Sequence, residues 1–191
     1  MRIEVPLPKA YRLLNHGPVT LVTSCHQERM NVMAASWAMP VDFDPPKVAL
    51  VIDAQTLTRE LVDASGEFAL NIPTLALAST VLALGSASGR TVDKWAHLSK
   101  IAAQRIQAPL IDACVAWLEC RVLPEREIER RHDLFVAEVV AASADDRVFR
   151  EGRWVFGEQE LHTIHYMAGG RFHATGQAID ADAALTPIGR A

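Results

Sequence analysis

At 191 residues, with 19 Lys and Arg against 23 Asp and Glu, the chain is of single-domain length and carries a net charge of −4. That balance excludes the basic surface needed to displace counterions from nucleic-acid phosphates. Its 50% apolar and 22% charged residues exclude wholesale disorder. A chain this long buries roughly 70% of its unfolded surface, so its core needs neither metal nor disulfide staples. The cysteines Cys25, Cys114 and Cys120 are odd in number and form no CxxC pair, which points to a reducing cytoplasm. The opening MRIEVPLPKAYRLL lacks the apolar core of a signal peptide. Phe68 to Gly89 is uncharged, but its apolar run extends only from Leu75 to Leu84, about half the ~20 residues that span a bilayer. A soluble protein without membrane partners is expected.

In chain order, the turn pair Gly17-Pro18 leads into a β-branched strand over Val19 to Ser24. A second apolar strand is predicted over Val32 to Met39, ending at Pro40. Lys47 to Asp53 forms a third, after Pro45-Pro46. Thr58 to Ser65 reads as a helix with Thr58 at its N-cap and Gly66 at its end. Phe68 to Ile72 is a strand. Leu75 to Leu84 is a helix apolar on nearly all faces and therefore expected to be buried. Val92 to Ala103 is a third helix candidate, with Trp95 and Leu98 on one side. Strands follow over Val115 to Leu123 and Phe135 to Ala141; in the former, Ala116, Leu118, Cys120 and Val122 alternate with Glu119 and Arg121. The fold class is mainly β with flanking helices, a barrel carrying a few peripheral helices, in one domain over residues 1–191. With no regular βαβ alternation and no GxGxxG turn, a Rossmann fold does not fit.

Three segments carry candidate chemistry. In Asn31 to Pro40, Trp37 stands among Ala34, Ala35, Ser36 and Ala38, so main-chain polar groups are open to a flat ligand; a tightly packed barrel strand gives the same pattern. Asp53 to Arg59 offers two hydroxyls, an arginine and free helix N-terminal amides to an anion, or simply an ordinary cap with Arg59 solvated. In Gly85 to Lys94, small and hydroxyl residues including Ser88 precede Arg90 and Lys94. This is either a phosphate-side loop or a plain surface loop, and it lacks the P-loop spacing. His162 and His165 sit in a stretch that reads as strand and turn, which directs their rings to opposite faces, and no metal site is expected. Cys114 and Cys120 read as buried thiols; Cys25 beside His26 is either that or a reactive pair. Hydrolase motifs of the GxSxG and HExxH types are missing.

The segments GPVTLVTS, NVMAASWAMPVDFDPPKVALVI, TRELVDASGEFALNIP, GSASGRTVDKW, HDLFVAEVVAA and HYMAGGRFHATG together resemble the flavin reductase-like FMN-binding family, in particular its flavoredoxin branch with a split-barrel fold. The resemblance runs from about residue 11 to about residue 178. It implies noncovalent FMN held in a homodimer, with Asn31 and Trp37 at the flavin and Ala35 and Ser36 giving main-chain contacts. Thr58 and Lys94, flanked by Ser88 and Arg90, are then phosphate-side contacts, and His132 and Tyr166 complete the implied set. Two positions depart from the family pattern: Ala34 replaces a frequent Thr, and Phe172 a late Tyr. One FMN uses all three unusual segments at once. The implied activity is a flavin reductase that takes hydride from NAD(P)H and passes electrons to free flavin, a partner oxygenase or another redox protein. The alternative is a flavoredoxin-type electron carrier that never binds nicotinamide. In either case the cofactor carries out the redox chemistry while the protein orients it, and main-chain donors at the pyrimidine edge stabilise the reduced anion.

Overall fold

A computed structural model of the chain describes residues 1–181; the expected tail, Pro187 to Ala191, and the end of the expected 1–191 domain lie outside the described residues. Strands are β1 (Arg2–Glu4), β2 (Thr20–His26), β3 (Arg29–Ala35), β4 (Ala38–Phe43), β5 (Pro46–Val51) and β6 (Glu67–Ile72). The two-residue strands β7 (Lys100–Ile101) and β8 (Leu110–Ile111) pair with each other. After them come β9 (Ala116–Leu123) and β10 (Leu134–Asp145), the two-residue pair β11 (Phe149–Arg150) and β12 (Arg153–Trp154), and the hairpin β13 (Ile164–Ala168) and β14 (Arg171–Ala174). The helices are α1 (Leu57–Ser65), α2 (Ala78–Ser86) and α3 (Arg126–His132).

Eight strands form one antiparallel sheet in the order β3-β2-β6-β9-β10-β5-β4, with β1 paired to β10. Its two end strands, β3 and β4, follow each other in sequence, and Ala35 and Ala38 from those ends enter the same core. The sheet thus curls back on itself as a split barrel with flanking helices. Strand alternation sorts the side chains into two cores. Val22, Phe68, Leu70, Leu118 and Cys120 point into the barrel. Leu21, Ala69 and Trp117, each next to one of them in sequence, face outward under α2 and the 93–115 segment. Buried polar groups hold that outer segment down. Asn71 donates to the Leu21 carbonyl at 2.9 Å and accepts from the Ile111 N–H at 2.8 Å, while Glu119 accepts the N–H groups of Gln104 and Arg105.

Four expectations are corrected. The single strand over Val32 to Met39 is two strands, broken at Ser36-Trp37, and it does not stop at Pro40. β4 ends the sheet, where a residue lacking an N–H is tolerated beside a register shift. The helix cap is Thr56, whose hydroxyl accepts from the Arg59 N–H at 3.1 Å, and Thr58 lies inside the helix. Val92 to Ala103 is turn and short strand: Asp93 accepts from the Trp95 N–H at 2.9 Å, a local bond that competes with helix. Trp95 and Leu98 still reach the outer core. The Leu75 to Leu84 segment is a 3-10 turn followed by α2, and only Val81 and Leu84 of α2 are buried. Among the described residues no helix is long and apolar enough to cross a membrane.

Candidate functional site

Where β3 reaches its end, its side chains shrink to Ala34, Ala35 and Ser36, and α2 packs across them. A Cβ built on Gly85 of α2 would lie 3.3 Å from the Ala34 Cβ, so glycine sets how closely helix and strand approach. Ser36 lies beyond the β2–β3 ladder and before the β4–β5 ladder, which leaves its N–H free of both. The result is a cleft of about 210 Å³ lined by Val19, Ala34, Ala35, Ser36, Val81, Leu82, Gly85, Ser86, Tyr166 and Phe172. Its aromatic wall comes from the β13–β14 hairpin, where the Tyr166 and Phe172 rings stand 5.3 Å apart.

Gly85 and Ser86 also line a second cleft, of about 340 Å³, which therefore adjoins the first. Here the chemistry changes. The start of α1 presents the first-turn amides of Leu57 and Thr58, which have no intrahelical acceptor, at the positive end of the helix dipole. Thr58 is fully buried, and its hydroxyl accepts from the Asn31 side-chain amide at 2.9 Å, tying α1 to β3. From the opposite wall, the Lys94 ammonium donates to the carbonyls of Leu84 at 2.7 Å and Val32 at 3.0 Å. An ammonium has three N–H donors, so one remains for a ligand. Burial lowers the Lys94 pKa from the ordinary lysine value. Ser88 and Gly89 complete this wall. A Cβ on Gly89 would collide with the Asn31 side chain, so the loop closes over the site only as glycine.

The structure brings Ala35, Ser36 and Tyr166 together in the first cleft and Thr58, Ser88 and Lys94 in the second, where it also places Asn31, expected at the flavin ring, because Asn31 is bonded to Thr58. Three expected residues fall outside both. Trp37 is 73% exposed in the break between β3 and β4, because its strand has already turned outward. His132 ends α3, a helix not anticipated from sequence, and is exposed there. Arg90 pairs with Glu60 at 2.9 Å and lines a separate outer cleft. Arg59, one of the expected anion-site groups, is buried instead of solvated. It bonds Asp63 and Asp133 and lies over the Phe135 ring at 4.7 Å. The residues that sequence reasoning missed are Val19, Val81 and Leu82, which bracket the first cleft. That α2 crosses β3 there follows from the packing of Ala34 with Val81 and Leu84 and from the close approach of Gly85 to Ala34, neither of which the sequence pattern signals.

Taken together, the adjoining clefts have an apolar and aromatic end and a hydroxyl-rich end that carries the Lys94 ammonium, with the Asp53 carboxylate, which accepts from the Gln55 N–H, also on its lining. The combined volume lies within the ~300–1,000 Å³ of small-molecule sites. A ligand with a flat ring at one end and an anion at the other fits that polarity.

Comparison with known proteins agrees. A family model described as the flavin reductase like domain matches residues 12–173, and the chain belongs to this family. The uncharacterized protein YddH of Escherichia coli (strain K12) is 43% identical over 184 residues, covering 94% of this chain and 97% of its own. A solved FMN-binding domain of a flavin reductases-like enzyme from Shewanella baltica is 40% identical, with a TM-score of 0.92 over 95% of this chain and 98% of that one. Flavoredoxin of Desulfovibrio vulgaris shares the fold at 23% identity, with a TM-score of 0.75 over 87% of this chain and 90% of its own.

Proposed function

We propose that this chain, as one domain, binds FMN along the two adjoining clefts and acts as an NAD(P)H-dependent flavin reductase. Free flavin, a partner oxygenase or another redox protein is the electron acceptor. The observation that carries this reading is the polarity of the site: aromatic and small residues at one end, free amides, hydroxyls and the Lys94 ammonium at the other. The FMN-binding relative from Shewanella baltica supports it.

When bound, FMN supplies the redox chemistry, and the protein supplies position and electrostatics. Ala34 and Ala35 hold back bulk so that the ring reaches main chain at Ser36. Tyr166 and Phe172 cover the ring and exclude water. Thr58, Ser88, Lys94 and the α1 amides hold the phosphate, and Asn31, donating to the Thr58 hydroxyl, leaves that hydroxyl's own proton free to donate. We assign the exposed apolar residues of the sheet edge (Trp37, Met39, Val41 and Phe43, at alternating positions) to contact between two copies in a homodimer. Equilibrium sedimentation tests this assignment, with an expected mass of twice 21.0 kDa. The three cysteines are free and buried, in keeping with a reducing cytoplasm.

Anaerobic mixing of the FMN-loaded protein with NADH or NADPH tests the activity. Rapid bleaching of the bound flavin is expected with at least one of them. Loss of absorbance with neither, alongside reduction by a reduced protein donor, assigns the chain to the flavoredoxin type of electron carrier instead.

A further inference from the structure

The aromatic wall of the first cleft stands on a hairpin that lies outside the eight-stranded sheet. Its main-chain bonds to the body gather at its base. The Val19 N–H donates to the Ile164 carbonyl and the Leu75 N–H to the His162 carbonyl, both at 2.8 Å, and Thr74 bridges Thr163. Side chains fix the same end: the His16 ring bonds the Thr163 hydroxyl at 2.7 Å, and that hydroxyl bonds Thr175 at 2.6 Å. From 165 to 173, among the described residues, the main chain of the hairpin bonds only to itself. Side chains hold this span to the body. Phe172 packs on the outer core, and Gly170 rests against Leu82 of α2, where a Cβ would stand 3.2 Å from a Leu82 methyl. Between these contacts the ladder is irregular. Its register shifts between Tyr166 and Ala168, and Ala168 takes φ 95°, a conformation costly for a residue with a Cβ. Leu82, Tyr166 and Met167 are exposed, so little packing has to be broken for the outer half to move.

We propose that the β13–β14 hairpin is a lid over the ring end of the site, hinged at the clamp of His16, Thr163 and Thr175 and latched where Gly170 meets Leu82. The inference rests on the FMN reading, because that reading puts the ring between the β3–α2 wall and the pair Tyr166 and Phe172. A reduced nicotinamide gives up its hydride only to a ring that it touches, and it leaves as the oxidised pyridinium. With the lid down, Tyr166 and Phe172 occupy the place it needs. The lid therefore lifts off Leu82 to admit the nicotinamide and settles again to exclude water. The clamp keeps the hinge end registered, so the two aromatic rings return to one position. Leu82 is the residue on which closure depends, since it both lines the cleft and carries the tip.

The test locks the latch. In the FMN-loaded Leu82→Cys/Gly170→Cys double variant, the methyl that a new Cβ would crowd leaves with Leu82, and mild oxidation joins tip to helix. A free-thiol count follows the link, the three native cysteines being buried. The linked form should release FMN and be bleached by NADH or NADPH about tenfold more slowly than the same variant reduced with dithiothreitol. Equal rates in the two forms overturn the lid and leave the FMN reading standing. Leu82→Ala decides the matter without a cross-link. A weakened latch raises the open fraction, so FMN association and FMN release should both quicken, by about threefold or more. A faster release with unchanged association shows a lost contact only, and overturns the lid. Bleaching of the wild type by neither nucleotide removes the nicotinamide as the admitted ligand together with the reductase reading. Failure of the wild type to bind FMN at all overturns the FMN reading itself.

Discussion

The Asn31 side-chain amide donates to the Thr58 hydroxyl at 2.9 Å, with both residues buried, and this bond ties the wall of the barrel to the helix that would face the cofactor phosphate. Breaking it from either side leaves a buried polar group unpaired, at a cost of about 1–3 kcal/mol. Asn31→Leu and Thr58→Val should each destabilise the fold by that amount. The double variant should cost less than their sum, with a coupling of about 0.5 kcal/mol or more in urea unfolding. Strict additivity would show that the bond carries no energy.

Gly89→Ala should disturb the same corner through sterics. The added methyl meets the Asn31 side chain, so either the amide leaves Thr58 or the loop lifts from the cleft. A loss of about 1–3 kcal/mol in stability is expected, together with weaker FMN binding. Gly157→Ala is the control, since a Cβ there meets nothing within 4 Å. Equal melting temperatures for the two variants would contradict the close approach.

Lys94 gives the phosphate end a pH signature. Burial lowers its pKa, so the ammonium loses its proton at a lower pH than an ordinary lysine does. The cation exists below that pKa, and FMN affinity should fall as pH rises through it. Riboflavin has no phosphate and should show no such slope; Lys94→Met should abolish the slope for FMN. Parallel pH profiles for FMN and riboflavin would remove Lys94 from the phosphate site.

His16 sets a pH limit on the hairpin carrying Tyr166 and Phe172. It bonds the Thr163 hydroxyl at 2.7 Å, and its ring packs 5.0 Å from Trp154 and 5.8 Å from His165. Burial first, then the charge of His165, holds its pKa down at about 4. The unfolded chain, with an ordinary histidine near 6.5, takes up the proton first, so stability falls as pH drops from about 6.5 toward 4. The loss should reach about 2 kcal/mol at pH 5. Urea midpoints at pH 7 and pH 5 should differ more for the wild type than for His16→Phe. An equal difference would place the acid sensitivity elsewhere.

The fold was legible where one strand face is apolar: Val115 to Leu123 alternates, and β9 occupies Ala116–Leu123. It was illegible where local bonds or long-range packing decide. The Asp93 turn suppressed a helix whose apolar spacing was sound, and α3 lies in the charged run REIERRH, which has no apolar stripe. At the site, the hydroxyl and cationic residues read as a phosphate seat, Thr58, Ser88 and Lys94, do line one cleft, and Asn31, expected at the flavin ring, lines that cleft with them. The same signal did not show that Arg59 and Arg90 are paired with carboxylates, because an arginine's partner is set by tertiary contact: Asp133 lies 74 residues from Arg59, and Glu60 lies 30 from Arg90. His162 and His165, expected on opposite faces, both engage Thr175, because His162 precedes β13 and is outside its alternation.

The most direct measurement is a titration of flavin-free protein with FMN, followed by quenching of flavin fluorescence. The account predicts saturation at one FMN per chain, with riboflavin bound far more weakly because the Lys94 and α1 end then holds nothing. A linear response without saturation, or equal affinity for riboflavin and FMN, would contradict it.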